Sequence, residues 1–432
     1  MDKNNLFKKI FIIIIVIYFL FSFNIYTNSS EDIDDMAYVM AIGVDTDSNE
    51  KYKISLQLST MESSATDAML KTTSSSSGGS SNGSGSSESD TASKYVVYTM
   101  ETDSIDSAIN IANAYVNKNI NLSHCKILVI SEEIAKNGIE DIVNSIINKV
   151  EVRPDCNIVI SKVPADEFDD TKSQPKIEDV LSKYYDVTSN IENGRGYSET
   201  VKLSDFYLKL NDSFYQAYAT LGITSNPSSN RSNKGASSNL DVQSRSLVSN
   251  PDESAVETIG LAVFNHDKLV GTLSANQTMA YQLITNNFNY CTLNMPSPFS
   301  KGETLDLYLS TLKNPKIKVS IVNGSPFVEV NLYITTRLLS FNSNNISTLT
   351  EENLYIIKDS LTKYLEEQVY DYFDTTSKKL NSDIAGIGRY AAKNFKTTEE
   401  WKSYNWLENY KNCTFKVNVD ISIKSGHILS NE

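Results

Sequence analysis

Apolar positions along this chain switch repeatedly between a two-residue and a three-to-four-residue period. Ala37–Val44 is a continuous apolar run, and Lys51–Leu58 (KYKISLQL) then alternates apolar and polar. The pair reads as a hairpin whose second strand is half-buried. Tyr95–Met100 is a third strand. Ser104–Val116 places Ile105, Ala108, Ile109, Ala112 and Val116 on one helical face, an amphipathic helix that Asp103 can cap. Cys125–Ile130 and Asn157–Ser161 read as short buried strands. Helices over Ser131–Lys136 and Ile139–Val150 lie between them, separated by Gly138.

The second half repeats the alternation of periods. Lys176–Tyr185 and Leu203–Asn211 have helical patterns. Glu257–Phe264 and Lys268–Leu273 are strands around the turn Asn265-His266-Asp267, followed by a helix over Asn276–Thr285. From about Phe299, Lys316–Val322 and Phe327–Leu338 alternate around Asn323-Gly324, and Asn-Gly is the strongest short hairpin signal. A long helix runs from Glu351 to Leu380 on the stripe Leu354, Ile357, Leu361, Leu365 and Val369. Ile384–Phe395 continues as a helix, Trp401 and Trp406 bracket a small segment, and Thr414–Ile423 closes as a strand.

This order predicts an α+β, mixed α/β fold. Three small domains are expected, each a sheet packed by helices: residues 30–200, 201–295 and 299–432. Two stretches carry no period. Residues 72–91 are almost pure Ser and Gly, a composition that cannot bury apolar surface, and read as an insertion between strands of one sheet or as a linker. Residues 225–250, rich in Ser and Asn, read as a flexible loop.

The N-terminus differs from everything after it. Lys3, Lys8 and Lys9 precede the apolar run Ile10–Phe23, the plan of a signal sequence. The lysines stay in the cytoplasm, so the chain beyond the apolar run is exported. The run is short beside the roughly 17–25 residues of a spanning helix. It is either cut near residues 22–30 or retained. Isoleucines and aromatics reach nearly to its end with no small-x-small motif before a cut, which favours retention of residues 1–26 as an anchor.

Composition then removes function classes. The net charge is −14 and no long basic run exists, so no nucleic-acid partner is expected, because phosphate binding needs clustered Lys and Arg. Cys125, Cys156, Cys291 and Cys413 are widely spaced without a C-x-x-C pair. That excludes a small disulfide framework and a zinc ribbon. Buried thiols are expected, with one long-range disulfide left open.

Catalytic constellations are equally scarce. The three histidines are His124, His266 and His427. His124 abuts Cys125, but neighbouring strand residues point to opposite faces, so a dyad is not expected. No H-x-x-x-H or H-E-x-x-H occurs, and Asp32, Asp34 and Asp35 lack the glycine and terminal glutamate of a calcium loop. The G-x-G of Gly386-Ile-Gly388 has no preceding strand, and reads as a place of close packing where a side chain does not fit. No catalytic, cofactor-binding, metal-binding or lipidated residue and no cofactor is predicted. The 24 tyrosines with many Asn and Ser suit an interaction surface.

Four stretches together resemble the Ger(x)C family, the C subunit of spore germinant receptors. They are Asp32–Asp45 (DIDDMAYVMAIGVD); Ser123–Ser131 (SHCKILVIS) with Ile134-Ala135, Gly138-Ile139, Arg153 and Val159; Gly260–Phe264 with Lys268–Leu273; and Asp383–Arg389 (DIAGIGR) with Trp401, Trp406, the closing strand and Gly426. The resemblance implies three mixed α/β domains. It also implies a non-enzymatic subunit of a nutrient receptor complex at the inner spore membrane, beside integral-membrane partner subunits, with its bulk on the outer face. Direct binding of a small molecule is left open, and an extracytoplasmic solute-binding protein is the alternative. One departure stands out. The family's lipobox cysteine falls by spacing near Thr27, yet residues 1–124 contain no cysteine. The hydrophobic segment is therefore expected to tether the chain by itself, or the subunit is released.

Overall fold

The computed structural model describes residues 11–18, 35–47, 52–59, 95–169, 185, 196–225, 255–341 and 350–424. The first sheet is built on β1 (Met36–Thr46), which pairs antiparallel with β2 (Tyr52–Ser59), and β2 with β3 (Tyr95–Thr102). The strands flanking the Ser/Gly tract thus pair directly, while the tract itself lies outside the described residues. Helix α1 (Ile105–Tyr115) and the short β4 (Asn119–Asn121) lead to β5 (Ile127–Ser131), parallel to β1. The cap of α1 is Ser104, not Asp103: its hydroxyl accepts the Ser107 N–H at 3.1 Å. Helices α2 (Glu132–Asn137) and α3 (Glu140–Ile147) cross over to β6 (Asn157–Ser161), and α4 (Ala165–Asp169) follows. Each of β5 and β6 is almost wholly buried, the mark of parallel strands covered on both faces.

Alternation sorts the two faces. Leu128 and Ile130 of β5 enter the large core, while Ile127 and Val129 pack beneath α4 with Phe168. The cover from α4 also explains why β2 is buried on both sides where its sequence reads as half-buried. Ser55 donates to the Asp169 carboxylate at 3.0 Å, and the Gln57 amide donates to the Asp169 carbonyl at 2.6 Å. Polar side chains that alternation marks as solvent-facing are here satisfied inside the protein.

Beyond α4 lie α5 (Leu203–Leu210), β7 (Tyr218–Ser225), β8 (Ala255–Asn265) and β9 (Lys268–Leu273). The sequence reading gives residues 201–295 a sheet of their own. Instead β7 pairs parallel with β6, and β8 and β9 continue antiparallel, so one sheet runs β3-β2-β1-β5-β6-β7-β8-β9 with β4 on β1. Among the described residues there are two sheets, not three. The reason is edge chemistry: an unpaired β6 edge exposes backbone donors and acceptors, and β7 takes them up.

Helix α6 (Ala275–Thr285) leads into the second sheet, made of β10 (Tyr290–Pro296), β11 (Thr304–Val322), β12 (Ser325–Phe341) and, after the long α7 (Glu351–Phe373), β13 (Thr414–Ile423). Asn323 and Gly324 form the β11–β12 turn with φ of 52° and 83°, as a two-residue hairpin requires. β13 returns parallel to β12, and α7 lays Ile357, Leu361, Leu365 and Val369 into the core. A π-helical turn, Asp374–Lys379, ends α7. The hydrophobic core is continuous from the first sheet to the second.

Helix α6 joins the two layers. Its residues 275–284 are all buried, including Asn276, Gln277, Thr278 and Gln282. Gln277 donates to Asp371 and Thr375 at 2.8 and 2.9 Å, while Gln282 donates to the Ser198 carbonyl and accepts the Gly196 N–H, both at 2.8 Å. A helix buried all round with its amides used as connectors has no amphipathic stripe.

Of the expected anchor, residues 11–18 are helical and exposed, and the remainder lies outside the described residues. Among the described residues no helix is long and apolar enough to cross a membrane. The helix read over Lys176–Tyr185, apart from Tyr185, and residues 226–250 of the expected loop also fall outside them.

Candidate functional site

The segment Asp383–Arg389 crosses the seam between the two sheets. The chain leaves α7 through Asn381, whose φ of 46° turns it sharply. Ser382 then donates to the Phe264 carbonyl at 2.6 Å, and the Asp383 carbonyl accepts the Gln216 N–H at 2.8 Å. The Asp383 side chain is fully buried. It accepts from the Ile387 N–H (3.1 Å), the Gly388 N–H (2.8 Å) and the Trp406 indole Nε1–H (2.8 Å). These bonds hold residues 384–387 as a loop and start helix α8 (Gly388–Ala391) only at Gly388. The sequence places a helix from Ile384. The carboxylate of Asp383, bonding the backbone four and five residues on, takes the N–H groups that an earlier helix start would need.

Burial pushes the Asp383 carboxyl up to about 6, and the donors from Trp406, Gly388, Ile387 and Gly386 pull the other way. The close-packing reading of Gly388 is met directly. A Cβ there would stand 2.2 Å from the Phe214 carbonyl oxygen and 2.7 Å from the Trp406 indole. Trp406 stacks in turn on Trp401 with ring centroids 6.1 Å apart.

In front of this loop is a pocket of about 240 Å³. The loop's Ile384–Gly386 and Arg389 form one wall; α5, β7, α6 and β11 contribute Lys209, Tyr218, Tyr281 and Ile317 to the others. Cations and rings alternate at its mouth. Lys209 Nζ stands 3.8 Å from the Tyr218 ring centre, and the Arg389 guanidinium lies 4.4 Å from that of Tyr215 while donating to its hydroxyl at 2.6 Å. Cation–π contacts of this kind contribute about 0.5–2 kcal/mol. Burial lowers Lys209 to about 8, against the raising influence of Glu199 and Asp205.

Glu199 lies behind the Tyr218–Asn287 wall and is 7% exposed. Its Oε1 accepts from Asn287 at 2.7 Å and from the Tyr218 hydroxyl at 3.4 Å; Oε2 has no hydrogen-bond partner among the described residues. Burial raises its carboxyl, with Asn287 and Lys209 opposing. The Tyr281 hydroxyl donates to that of Tyr218. Burial also raises both phenols well above the usual range, so they stay protonated donors at neutral pH.

Other candidate groups fall elsewhere. His124 packs edge-on against Tyr38 (centroids 4.6 Å apart), while the Cys125 thiol turns inward to lie 3.8 Å from the Cys156 sulfur. His266 occupies the β8–β9 turn with φ of 57°. His427, Asp32 and Asp34 lie outside the described residues. All four cysteines are free and buried. Sequence reasoning singled out the Asp383–Arg389 stretch but missed Lys209, Tyr215, Tyr218 and Glu199. For the two tyrosines the only signal was the abundance of tyrosine; Lys209 and Glu199 had none.

A family model described as "Spore germination protein N-terminal domain" matches residues 29–221, and one described as "Spore germination B3/GerAC like, C-terminal" matches residues 259–426. The chain belongs to the GerAC-like, or Ger(x)C, family of spore germination proteins, the germinant receptor C subunits. It is similar to "Spore germination protein GerQC" of Bacillus cereus, 23% identical over 175 residues, which is 39% of this chain and 45% of that one. The chain thus spans less than half the length of that curated relative. Among solved structures it is similar to the "Crystal Structure of the GerBC protein", with 17% identity, a TM-score of 0.45, and coverage of 88% of this chain and 96% of that one. The pocket draws walls from both matched regions, residues 209–218 from the first and 281–390 from the second.

Proposed function

We propose that this chain is a non-enzymatic subunit of a nutrient germinant receptor complex, needed for germination through assembly with integral-membrane partner subunits. What carries the reading is the pair of germination-family matches, over residues 29–221 and 259–426. Deleting the gene, in a background without a compensating paralogue, is expected to abolish or slow germination with at least one single nutrient. Unchanged germination across the whole nutrient panel would sink the reading.

The body sits on the outer face of the inner spore membrane and is tethered by residues 1–26. The support is the basic flank Lys3, Lys8 and Lys9 ahead of an apolar run, with no cysteine before Cys125 to carry a lipid. The protein extracted from spore membranes is expected to start at Met1 or Asp2 by intact mass. A start near residue 27 would overturn the tether.

A further inference from the structure

We propose that the pocket in front of Asp383–Arg389 binds a small organic carboxylate, its charge held between Lys209 and Arg389 and its short body laid against Ile284, Ile317 and Ile384. Three observations converge on this. The first is size: about 240 Å³ holds about eight water-sized groups, enough for a small organic acid.

The second is charge. Lys209 Nζ and the Arg389 guanidinium approach the same Tyr215 ring, at 5.9 and 4.4 Å from its centre. Arg389 raises the cost of charging Lys209. Among the described residues, neither meets a carboxylate within ion-pair distance. Glu199 is a single buried carboxylate, and Asn287 and Tyr218 already occupy one of its oxygens. Asp205 acts on Lys209 from an exposed position, where solvent and salt screen it. Asp212 acts on the Tyr215 hydroxyl and accepts the Phe214 N–H. The nearby carboxylates are thus screened or engaged elsewhere while Lys209 and Arg389 have no ion-pair partner among the described residues, which suits a monoanion.

The third observation is the lining. Buried Ile284 and Ile384 and half-buried Ile317 line it alongside Tyr218, Thr285 and Asn287, which carry polar groups. Apolar walls with a few convergent polar groups are the usual make-up of a small-molecule site. Bare inorganic phosphate would leave the isoleucines unused. Arg389 also serves as a gate on identity, because its planar fork matches a carboxylate better than a point charge does.

The test is titration calorimetry on the full-length protein in detergent, with benzoate and isovalerate as probes, benzamide and isovaleramide as their neutral isosteres, and inorganic phosphate. One carboxylate is expected to bind per chain, with the matching amide weaker by about ten-fold or more. Lys209→Met and Arg389→Gln should each weaken the acid by about ten-fold and leave the amide unchanged. Arg389 is exposed, so Arg389→Gln reports on binding even where Lys209→Met disturbs folding; a thermal melt of each variant checks this. Equal binding of acid and amide, affinity untouched by both substitutions, tighter binding of phosphate than of either acid, or no heat from any carboxylate would each overturn the proposal.

Discussion

Gly388→Ala is expected to destabilise the protein by about 3 kcal/mol or more, among the largest effects of any single-methyl addition in this chain. The added carbon would stand 2.2 Å from the Phe214 carbonyl oxygen and 2.7 Å from two atoms of the Trp406 indole. Neither neighbour can yield cheaply. Phe214 O is backbone, and the segment after it carries Tyr215 and Tyr218 into the pocket and Gln216 onto the Asp383 carbonyl. Trp406 is 1% exposed and anchored by its bond to Asp383. The methyl therefore forces the start of α8 away from the segment that leads into β7, opening the seam between the sheets. Trp406→Phe probes the other side of the same contact. It keeps most of the ring but removes the indole donor, and should cost about 1–3 kcal/mol. Chemical denaturation of both variants reads these values. A Gly388→Ala midpoint indistinguishable from wild type would show that the loop does not approach Phe214 as closely as described.

Mild acid is expected to stabilise this protein, the reverse of the common behaviour of carboxylate-rich folds. Asp383 has an ordinary value of 3.8 and is raised to about 6 by burial. Between those values the folded state holds more protons than the unfolded chain. The free energy of unfolding therefore falls as pH rises through that window, by about 1.4 kcal/mol per unit at most for one group. Asp169, Glu199 and Asp45 are raised in the same direction, each chiefly by burial. Lowering pH also relieves self-repulsion in a chain of net charge −14. Surface ion pairs such as Lys363–Asp359 and Lys136–Glu132 oppose the trend only weakly, because solvent and salt screen exposed pairs. The melting temperature should be higher at pH 5.5 than at pH 7.5. Asp383→Asn should lower stability at pH 7.5, since its NH2 group would face either the Ile387 N–H or those of Gly388 and Trp406, which bond the two different oxygens of Asp383. It should also remove that residue's share of the pH slope. A melting temperature that falls steadily from pH 7.5 to 5.5 would refute the assignment of these carboxyls as net burdens on the fold.

Much of the architecture is legible in the chain because local pattern and local structure share a period. The alternation of Lys51–Leu58, the Asn323-Gly324 turn and the stripe of Ile357, Leu361, Leu365 and Val369 each specify an element within one stretch of sequence, and each is found. What resisted was of two kinds. β10 and the first half of β11 escaped notice: Pro315 interrupts the run, and the structure absorbs the irregularity by register shifts between Thr311 and Lys316. Helix α6 was readable as a helix but not as a buried one, because Asn276, Gln277 and Gln282 look solvent-facing until their partners are known.

The candidate site divides in the same way. The Asp383–Arg389 stretch stands out in the sequence because it combines two glycines with a resemblance to the family. Nothing local ties it to Lys209, Tyr218 or Glu199, which lie far away along the chain and meet it only across the seam. By itself the sequence determined the family, the identity of most strands and helices, and a basic and apolar N-terminus without a lipidatable cysteine. Only the tertiary structure decided that β7–β9 extend the first sheet, that Gly388 is pressed against a carbonyl, and that two cations share one tyrosine at the mouth of a pocket. The physical reason is one of range. Periodicity and turn chemistry act over a few residues, whereas strand pairing, burial of polar groups and the meeting of charges depend on which distant surfaces exclude water together.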